Sequence, residues 1–206
     1  VTPGGEQSIL PDLLTSGEFL DGYPADLAHM DGTTLQDLRE AYLAAARRVA
    51  PHTPWMTDKL GGNMVHLGLI HCLFPDSPIV HCRRDARDVI LSAYGQWFGQ
   101  GHHYAYDLSD LATMTATARN LMEAWQGLLP AGRIHDVVYG QLVTRFRPVI
   151  EGLLRACALP EQEACFHPSA EQRHIDTASS RRVLNPVTTR RVGRWRTHAA
   201  DLSAVL

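Results

Sequence analysis

The sequence predicts a three-layer α/β domain with a small, mostly parallel sheet. Segments typical of strands alternate with segments typical of helices, and this order places helices on the faces of parallel strands. The segment SPIVHC (77–82) is short and β-branched and is bounded by Pro and Asp, as in strands buried in a parallel sheet. Because helices outnumber strands, we expect a thin sheet and one or more strands outside this chain.

The N-terminal half is predicted to contain three helices and two strands. Thr33 or Thr34 can cap the clearest helix, 31–50. Its apolar face consists of Leu35, Leu38, Tyr42, Ala45 and Val49. The other elements, in order, are a turn and short helix at 5–14, a short strand and loop at 54–60, an apolar helix at 62–74 and the strand at 77–82.

The C-terminal half continues the alternation. Its elements are a helix from about Asp85, a long helix at 107–129, a strand at 133–139, a helix at 141–159, and a final loop and helix at 188–206. Pro148 is expected to interrupt or restart the helix at 141–159, because proline has no N–H to donate. We expect residues 1–206 to form a single domain that is incomplete at its N-terminus.

Composition excludes several classes of function. A formal net charge of −3 gives no indication of a nucleic-acid-coating protein. No apolar run approaches the length of a membrane span, and no signal peptide is evident. The four cysteines (Cys72, Cys82, Cys157 and Cys165) form no CxxC pair, and we expect reduced, buried thiols in a cytoplasmic protein. No set of side chains has metal-ligand spacing, so no metal is expected.

The segment RRDARDVILSAY (83–94) predicts an anion site where a strand meets a helix. The first N–H groups of a helix are unpaired and carry partial positive charge. Asp85 can cap this helix, with Asp88 three residues later resembling the second residue of a capping box. Arg84 precedes the cap and can donate two hydrogen bonds to a phosphate. Ser92 lies on the same helix face as Asp85 and Asp88 and could add a hydroxyl donor. The alternative is that the arginines of this turn are exposed and merely paired with Asp85 and Asp88.

Several blocks in order resemble sulfotransferases that use 3′-phosphoadenosine 5′-phosphosulfate (PAPS). These blocks are GGEQSILPDLL, TDKLGGNMVHLGLIHCLFPDSPIVHCRRDARD, YAYDLSDL, VVYGQLV and TASSRRVLNPVTTRRVGRWR. More narrowly, the chain is similar to bacterial sulfotransferase domains often fused to tetratricopeptide repeats, and more distantly to tyrosylprotein sulfotransferases. The resemblance implies a P-loop-NTPase-like fold, PAPS as co-substrate and a hydroxyl or amine acceptor.

The resemblance assigns four residues to the cofactor. Arg84 and Ser92 would hold the 3′-phosphate, Tyr139 would lie near it, and Arg194 would close over the cofactor from the C-terminal loop, helped by Arg190 and Arg191. Physical chemistry leaves alternatives open, because Tyr139 is equally suited to packing at the end of a strand. An ordinary basic loop would equally explain the arginines near the C-terminus.

Three further residues are assigned to catalysis by the resemblance. Glu6 would be the general base, Lys59 would stabilise the transferring sulfuryl group, and Ser179, or Ser180 by a one-residue shift, would lie near the sulfate. A cation is suited to this role because negative charge builds up in the transition state. Lys59 is the only lysine in the chain. The alternatives are a solvated lysine after a strand and a glutamate favoured by a helix N-terminus.

Histidines offer rival bases. His66 and His71 lie five residues apart on an apolar segment and are expected to be packed, whereas His102 and His103 begin a loop that could line an acceptor pocket. Peptide tyrosine, sugar, lipid and small-metabolite acceptors all remain open.

The chain departs from the family pattern at its start. The glycine- and serine-rich loop that holds the 5′-phosphosulfate should precede GGE, and residues 1–5 are too few for a strand, loop and helix. We therefore expect a fragment or a degenerate member that binds PAPS poorly or not at all by itself. A non-catalytic nucleotide-binding or interaction module is the alternative function. A nucleotide kinase is disfavoured because no GxxxxGK[ST] motif occurs.

Overall fold

The computed structural model describes residues 1–20, 22–98, 101–167 and 187–203. It divides into two compact units, Val1–Ser77 and Pro78–Leu206, and each is considered by itself below. The expected site residue Ser179, with its neighbour Ser180, lies outside the described residues. The expectation of a single domain over 1–206 stays a prediction.

The first unit contains two short parallel strands and three α-helices. In order, its elements are β1 (Thr2–Pro3), α1 (Ile9–Thr15), a 3-10 helix (Ala25–His29), α2 (Gly32–Val49), β2 (Met56–Thr57), a second 3-10 helix (Gly61–His66) and α3 (Leu67–Leu73). The apolar segment 62–74 thus begins as a 3-10 helix. The sequence analysis missed β1 and extended β2 too far, because two-residue strands carry no periodic signal.

The core of the first unit is built from leucines on α1, α2, α3 and the loop after α1. The buried members are Leu10, Leu14, Leu20, Leu38, Leu69 and Leu73. The predicted apolar face of α2 is confirmed at Leu38, which is fully buried, whereas Val49 at its end is exposed. The predicted caps were wrong, because Asp31 caps α2 by accepting a hydrogen bond from the Thr34 N–H at 2.7 Å.

The second unit contains the other two strands. In order, its elements are β3 (Ile79–Arg83), α4 (Ala86–Tyr94), a 3-10 helix (His103–Tyr106), α5 (Leu108–Leu128), β4 (Ile134–Val138), α6 (Tyr139–Thr144), α7 (Phe146–Ala156), two further 3-10 helices (Glu163–Phe166 and Arg194–His198) and α8 (Ala199–Ser203). Strands β3 and β4 pair in parallel, with His81 opposite Asp136. One buried cluster in this unit joins Ile90, Ala105, Leu111 and Leu202.

Two local predictions in the second unit needed adjustment. Tyr139 begins α6 and does not end the strand. The helix predicted at 141–159 breaks at Arg145, and Pro148 lies in the first turn of α7, where a missing N–H removes no helical hydrogen bond.

The prediction of buried cysteines was wrong at two positions. All four thiols are free, but Cys72 and Cys82 are exposed and the other two are half-buried. Cys82 alternates along β3 with His81, and the face of the strand that carries Val80 and Cys82 is exposed.

The predicted α/β class with small parallel sheets is confirmed. Among the described residues the strands form two sheets of two strands each, and both pairings are parallel. No helix in the described part of the chain combines the length and the apolar character needed to cross a membrane.

Candidate functional site

Two consecutive arginines at the junction between β3 and α4 have separate environments. Arg83 donates to Asp136 on β4 at 2.9 Å, and its side chain is half exposed. Arg84 lies at the start of α4, and its side chain is 20% exposed. Asp85 caps α4 by accepting from the Arg87 N–H at 2.9 Å, as predicted. The turn therefore directs Arg84 inward while Arg83 joins the two strands.

Arg84 lines a cavity of about 180 Å³ within the second unit. Its guanidinium carbon lies 5.0 Å from the centre of the Tyr139 ring, which is a cation–π arrangement. The wall is formed by the start of α4, by the junction of β4 with α6, and by the chain near the C-terminus. The lining residues are Arg84, Asp85, Asp88, Val138, Tyr139, Gly140, Val192, Gly193, Trp195 and Arg196.

Residues 187–198, called the C-terminal segment below, pack on the N-terminal turns of α4. Arg84 Nη2 donates to the carbonyl of Arg191 at 2.5 Å. Asp88 accepts from the N–H groups of Gly193 and Trp195. The Arg87 guanidinium stacks on the Trp195 ring, 3.5 Å from its centre. Four contacts from three side chains of one turn thus hold this segment in place.

Around the cavity, one N–H group of Arg84 remains available to an anion, although Arg84 Nη2 also lies 3.8 Å from Asp88 Oδ2. Hydrogen bonds from Arg87 hold the pKa of Asp85 below its ordinary value, so this carboxylate is already paired. The carboxylate of Asp88 is occupied by two backbone N–H groups. By contrast, the Arg84 Nε is buried and has no hydrogen-bond partner among the residues that the structure describes. A buried N–H group of this kind costs free energy unless an acceptor binds it.

The cofactor residues predicted from the sequence differ in their positions. Arg84 and Tyr139 line the cavity together. Ser92 is half-buried on the face of α4 that carries Asp88, one turn further along, and does not line it. Arg194 and Arg196 are both exposed, and Arg196 rather than Arg194 lines the cavity. Roles for Ser92 and Arg194 stay predictions.

Sequence reasoning missed the part played by Asp88. The expected capping box does not form, because the Asp88 side chain accepts from the C-terminal segment. Arg196 was also missed, although the two arginines of GRWR were candidates of equal standing by residue type.

The predicted catalytic residues Glu6 and Lys59 form an ion pair in the first unit. Parallel pairing of β1 with β2 produces this arrangement, since Gly4 N–H donates to the carbonyl of Thr57 and Lys59 N–H to that of Gly5, each at 2.9 Å. Both side chains remain substantially exposed, at 42% for Glu6 and 61% for Lys59. They are therefore accessible to a substrate.

The loop that carries Lys59 is tied to α2. Tyr42 donates from its hydroxyl to Asp58 Oδ2 at 2.7 Å, and its ring packs on Phe74. Burial, together with the bond to Asp58, raises the pKa of Tyr42. Tyr42 is thus a neutral donor at physiological pH, and it fixes the residue that precedes Lys59.

Two of the histidines considered as rival bases, His66 and His102, have structural partners. His66 is half-buried, Tyr23 lies 2.6 Å from its Nδ1, and burial lowers its pKa, which agrees with the packed role expected of it. His102 contacts Tyr104 through its Nδ1 at 2.9 Å.

Comparison with known proteins decides the family. The family model described as "Sulfotransferase family" matches residues 22–163, well over half of the chain. The chain belongs to the sulfotransferase family. The match includes Lys59, Arg84, Ser92 and Tyr139 of this sulfotransferase-family domain, while Glu6 lies outside it.

One curated relative extends over the whole chain. The domain is 28% identical over 217 residues to an uncharacterized protein of Aquifex aeolicus (strain VF5), and the similarity includes 100% of this chain. The chain spans only 28% of the length of that relative. The activity of a longer protein that contains this domain is therefore given below only as a proposal.

Proposed function

We propose that the domain transfers a sulfuryl group from PAPS to a hydroxyl or amine acceptor and leaves adenosine 3′,5′-bisphosphate. The observation that carries this proposal is the buried Arg84 Nε beside a cavity at the N-terminus of a helix, where no described residue accepts a hydrogen bond from it. Helix N-termini and arginine forks both favour phosphate. Membership of the family indicates a sulfotransferase, and the Arg84 cavity is the proposed binding site for the phosphate that anchors the cofactor.

The 3′-phosphate is proposed to bind in the Arg84 cavity. Its volume of about 180 Å³ is several times the roughly 30 Å³ that one water molecule occupies in the liquid, so a phosphate group has room. Arg84 would donate from Nε and exchange its bond with the Arg191 carbonyl for one to the phosphate. The Tyr139 hydroxyl and Ser92 are further proposed donors.

Glu6 and Lys59 are proposed to act in the chemical step. The acceptor oxygen or nitrogen attacks sulfur in line, its proton passes to Glu6, and the bond between sulfur and the bridging phosphate oxygen breaks. Lys59 stabilises the negative charge that develops on the sulfonate and bridging oxygens. Their ion pair keeps both groups close to each other until substrate replaces one of them.

The setting of this activity is also a proposal. The four free cysteines support a cytoplasmic location, and the family resemblance supports fusion to tetratricopeptide repeats. No metal is required, because Lys59 supplies the cation.

Calorimetric titration of the full-length protein with adenosine 3′,5′-bisphosphate tests the proposal. Arg84→Ala should weaken binding about tenfold to a hundredfold, since a charge-assisted bond is lost. Arg83→Ala is the matched control, because this neighbouring arginine pairs with Asp136 outside the cavity, and its affinity should stay within about twofold.

Two results would contradict the proposed function. One is the absence of any binding of adenosine 3′,5′-bisphosphate to the wild-type protein. The other is an equal loss of affinity in the Arg84 and Arg83 variants. Tight binding without sulfuryl transfer to any acceptor would instead favour the non-catalytic nucleotide-binding module.

A further inference from the structure

Asp88 stands out as a charged residue that is buried within the described part of the chain. It is 2% exposed. Its Oδ2 accepts from the Gly193 N–H at 2.7 Å and its Oδ1 from the Trp195 N–H at 3.0 Å. Arg84 Nη2 lies 3.8 Å from Oδ2. A buried carboxylate is costly unless such partners compensate it, so these contacts indicate a specific role.

The backbone of the C-terminal segment is shaped to meet this carboxylate. Gly193 has φ +70°, a conformation that allows its N–H and that of Trp195 to converge on one side chain. A Cβ at this position would overlap the guanidinium of Arg196, which passes directly over it. Fixing this turn therefore also fixes where Trp195 and Arg196 lie in the cavity wall.

We propose that Asp88 is a positioning residue that shapes the Arg84 cavity for a phosphate by holding the C-terminal segment against α4. This inference rests on the proposed function, because it concerns the pocket for the 3′-phosphate of the cofactor. Asp88 does not touch the phosphate. It acts through Gly193 and Trp195, and so sets how well the cavity distinguishes a nucleotide with a 3′-phosphate from one without it.

Two effects of removing the Asp88 charge oppose each other. Loss of a negative charge beside Arg84 would by itself strengthen anion binding. However, Asp88→Asn replaces one acceptor oxygen by an NH₂ group that faces an N–H donor, so one of the two bonds to the segment is lost. We expect the loss of positioning to dominate, because an unpaired buried donor costs more than a partly screened charge contributes.

The test compares two ligands that differ only in the 3′-phosphate. Affinities for adenosine 3′,5′-bisphosphate and adenosine 5′-monophosphate are measured by calorimetry on the full-length protein, and their ratio reports on the cavity alone. Asp88→Asn should reduce this ratio about tenfold and speed hydrogen exchange in the C-terminal segment. A residue that only stabilised the fold would leave the ratio unchanged.

Asp136→Asn provides a matched control. Asp136 is a partly buried carboxylate of the same unit, bonded to His81, Arg83 and Gln126, and it does not line the cavity. Its substitution should lower stability and leave the ligand ratio at the wild-type value. Asp88→Glu keeps the buried charge but moves the carboxylate by one methylene, so the ratio should fall in this variant too.

The outcomes separate this inference from the proposed function. A wild-type protein with no preference for the 3′-phosphate overturns the proposed function and this inference with it. A wild-type protein that has the preference, with Asp88→Asn or Asp88→Glu retaining or increasing it, overturns the positioning role alone. A reduced ratio in both Asp88 variants, with the Asp136 control unchanged, is the expected result.

Discussion

Replacing Gly193 by alanine should separate backbone strain from phosphate binding. The residue has φ +70°, where an L side chain costs about 1–2 kcal/mol. An added Cβ would overlap the Arg196 guanidinium and lie 2.9 Å from its Cζ. This obstacle is the end of a flexible side chain, so Arg196 can swing away. The free energy of unfolding should therefore fall by only about 1–2 kcal/mol.

The same substitution should also weaken ligand binding. Arg196 would leave the wall of the Arg84 cavity, and one charged donor at the wall is worth about 1.5 kcal/mol, or roughly tenfold in affinity. We expect the affinity for adenosine 3′,5′-bisphosphate to fall by about that factor. Urea unfolding and calorimetric titration on the same preparation measure the two quantities.

Gly132→Ala is the matched control for the strain. Gly132 has φ +79° and no atom within 4 Å of the added Cβ, and it lies in the turn before β4. It should lose the same 1–2 kcal/mol of stability and retain wild-type affinity. The reasoning would be refuted if both glycine variants bound the ligand equally well, because Arg196 would then contribute nothing to the site.

Three other substitutions test the remaining parts of the account. Lys59→Ala should lower kcat at least tenfold with little change in affinity for adenosine 3′,5′-bisphosphate, and an affinity loss with unchanged kcat in a sulfuryl-transfer assay would contradict its role. Glu6→Gln should lower kcat about a hundredfold, whereas intact turnover would show that another group is the base. Leu38→Ala should lower the free energy of unfolding, measured in urea, by about 2–5 kcal/mol, because Leu38 is fully buried. The control Leu128→Ala, at an exposed position, should lower it by less than about 0.5 kcal/mol. Equal losses in the two variants would contradict the assigned core.

Local features of the site could be predicted from the sequence. The strand, turn and helix around Arg84 follow from a short β-branched run, a capping aspartate and helical periodicity, all within 20 residues. The pairing of Asp88 with Gly193 and Trp195 could not be predicted in this way. Those partners lie 105 and 107 residues away along the chain, and no local pattern specifies contacts at that distance.

The remaining errors also have physical causes. GRWR contains two exposed arginines, and only the backbone of the C-terminal segment decides that Arg196 rather than Arg194 lines the cavity. Cys82 lies in an apolar run, but strand alternation places it on the exposed face of β3. The contact between Glu6 and Lys59 depends on β1 and β2, whose two-residue pairing leaves no periodic pattern.

The structure of the full-length protein bound to adenosine 3′,5′-bisphosphate would test the central claim most directly. The account predicts that the 3′-phosphate lies in the Arg84 cavity, within hydrogen-bonding distance of Arg84 Nε and beside the Tyr139 ring. A 3′-phosphate bound elsewhere, with Arg84 Nε still lacking a partner, would contradict it.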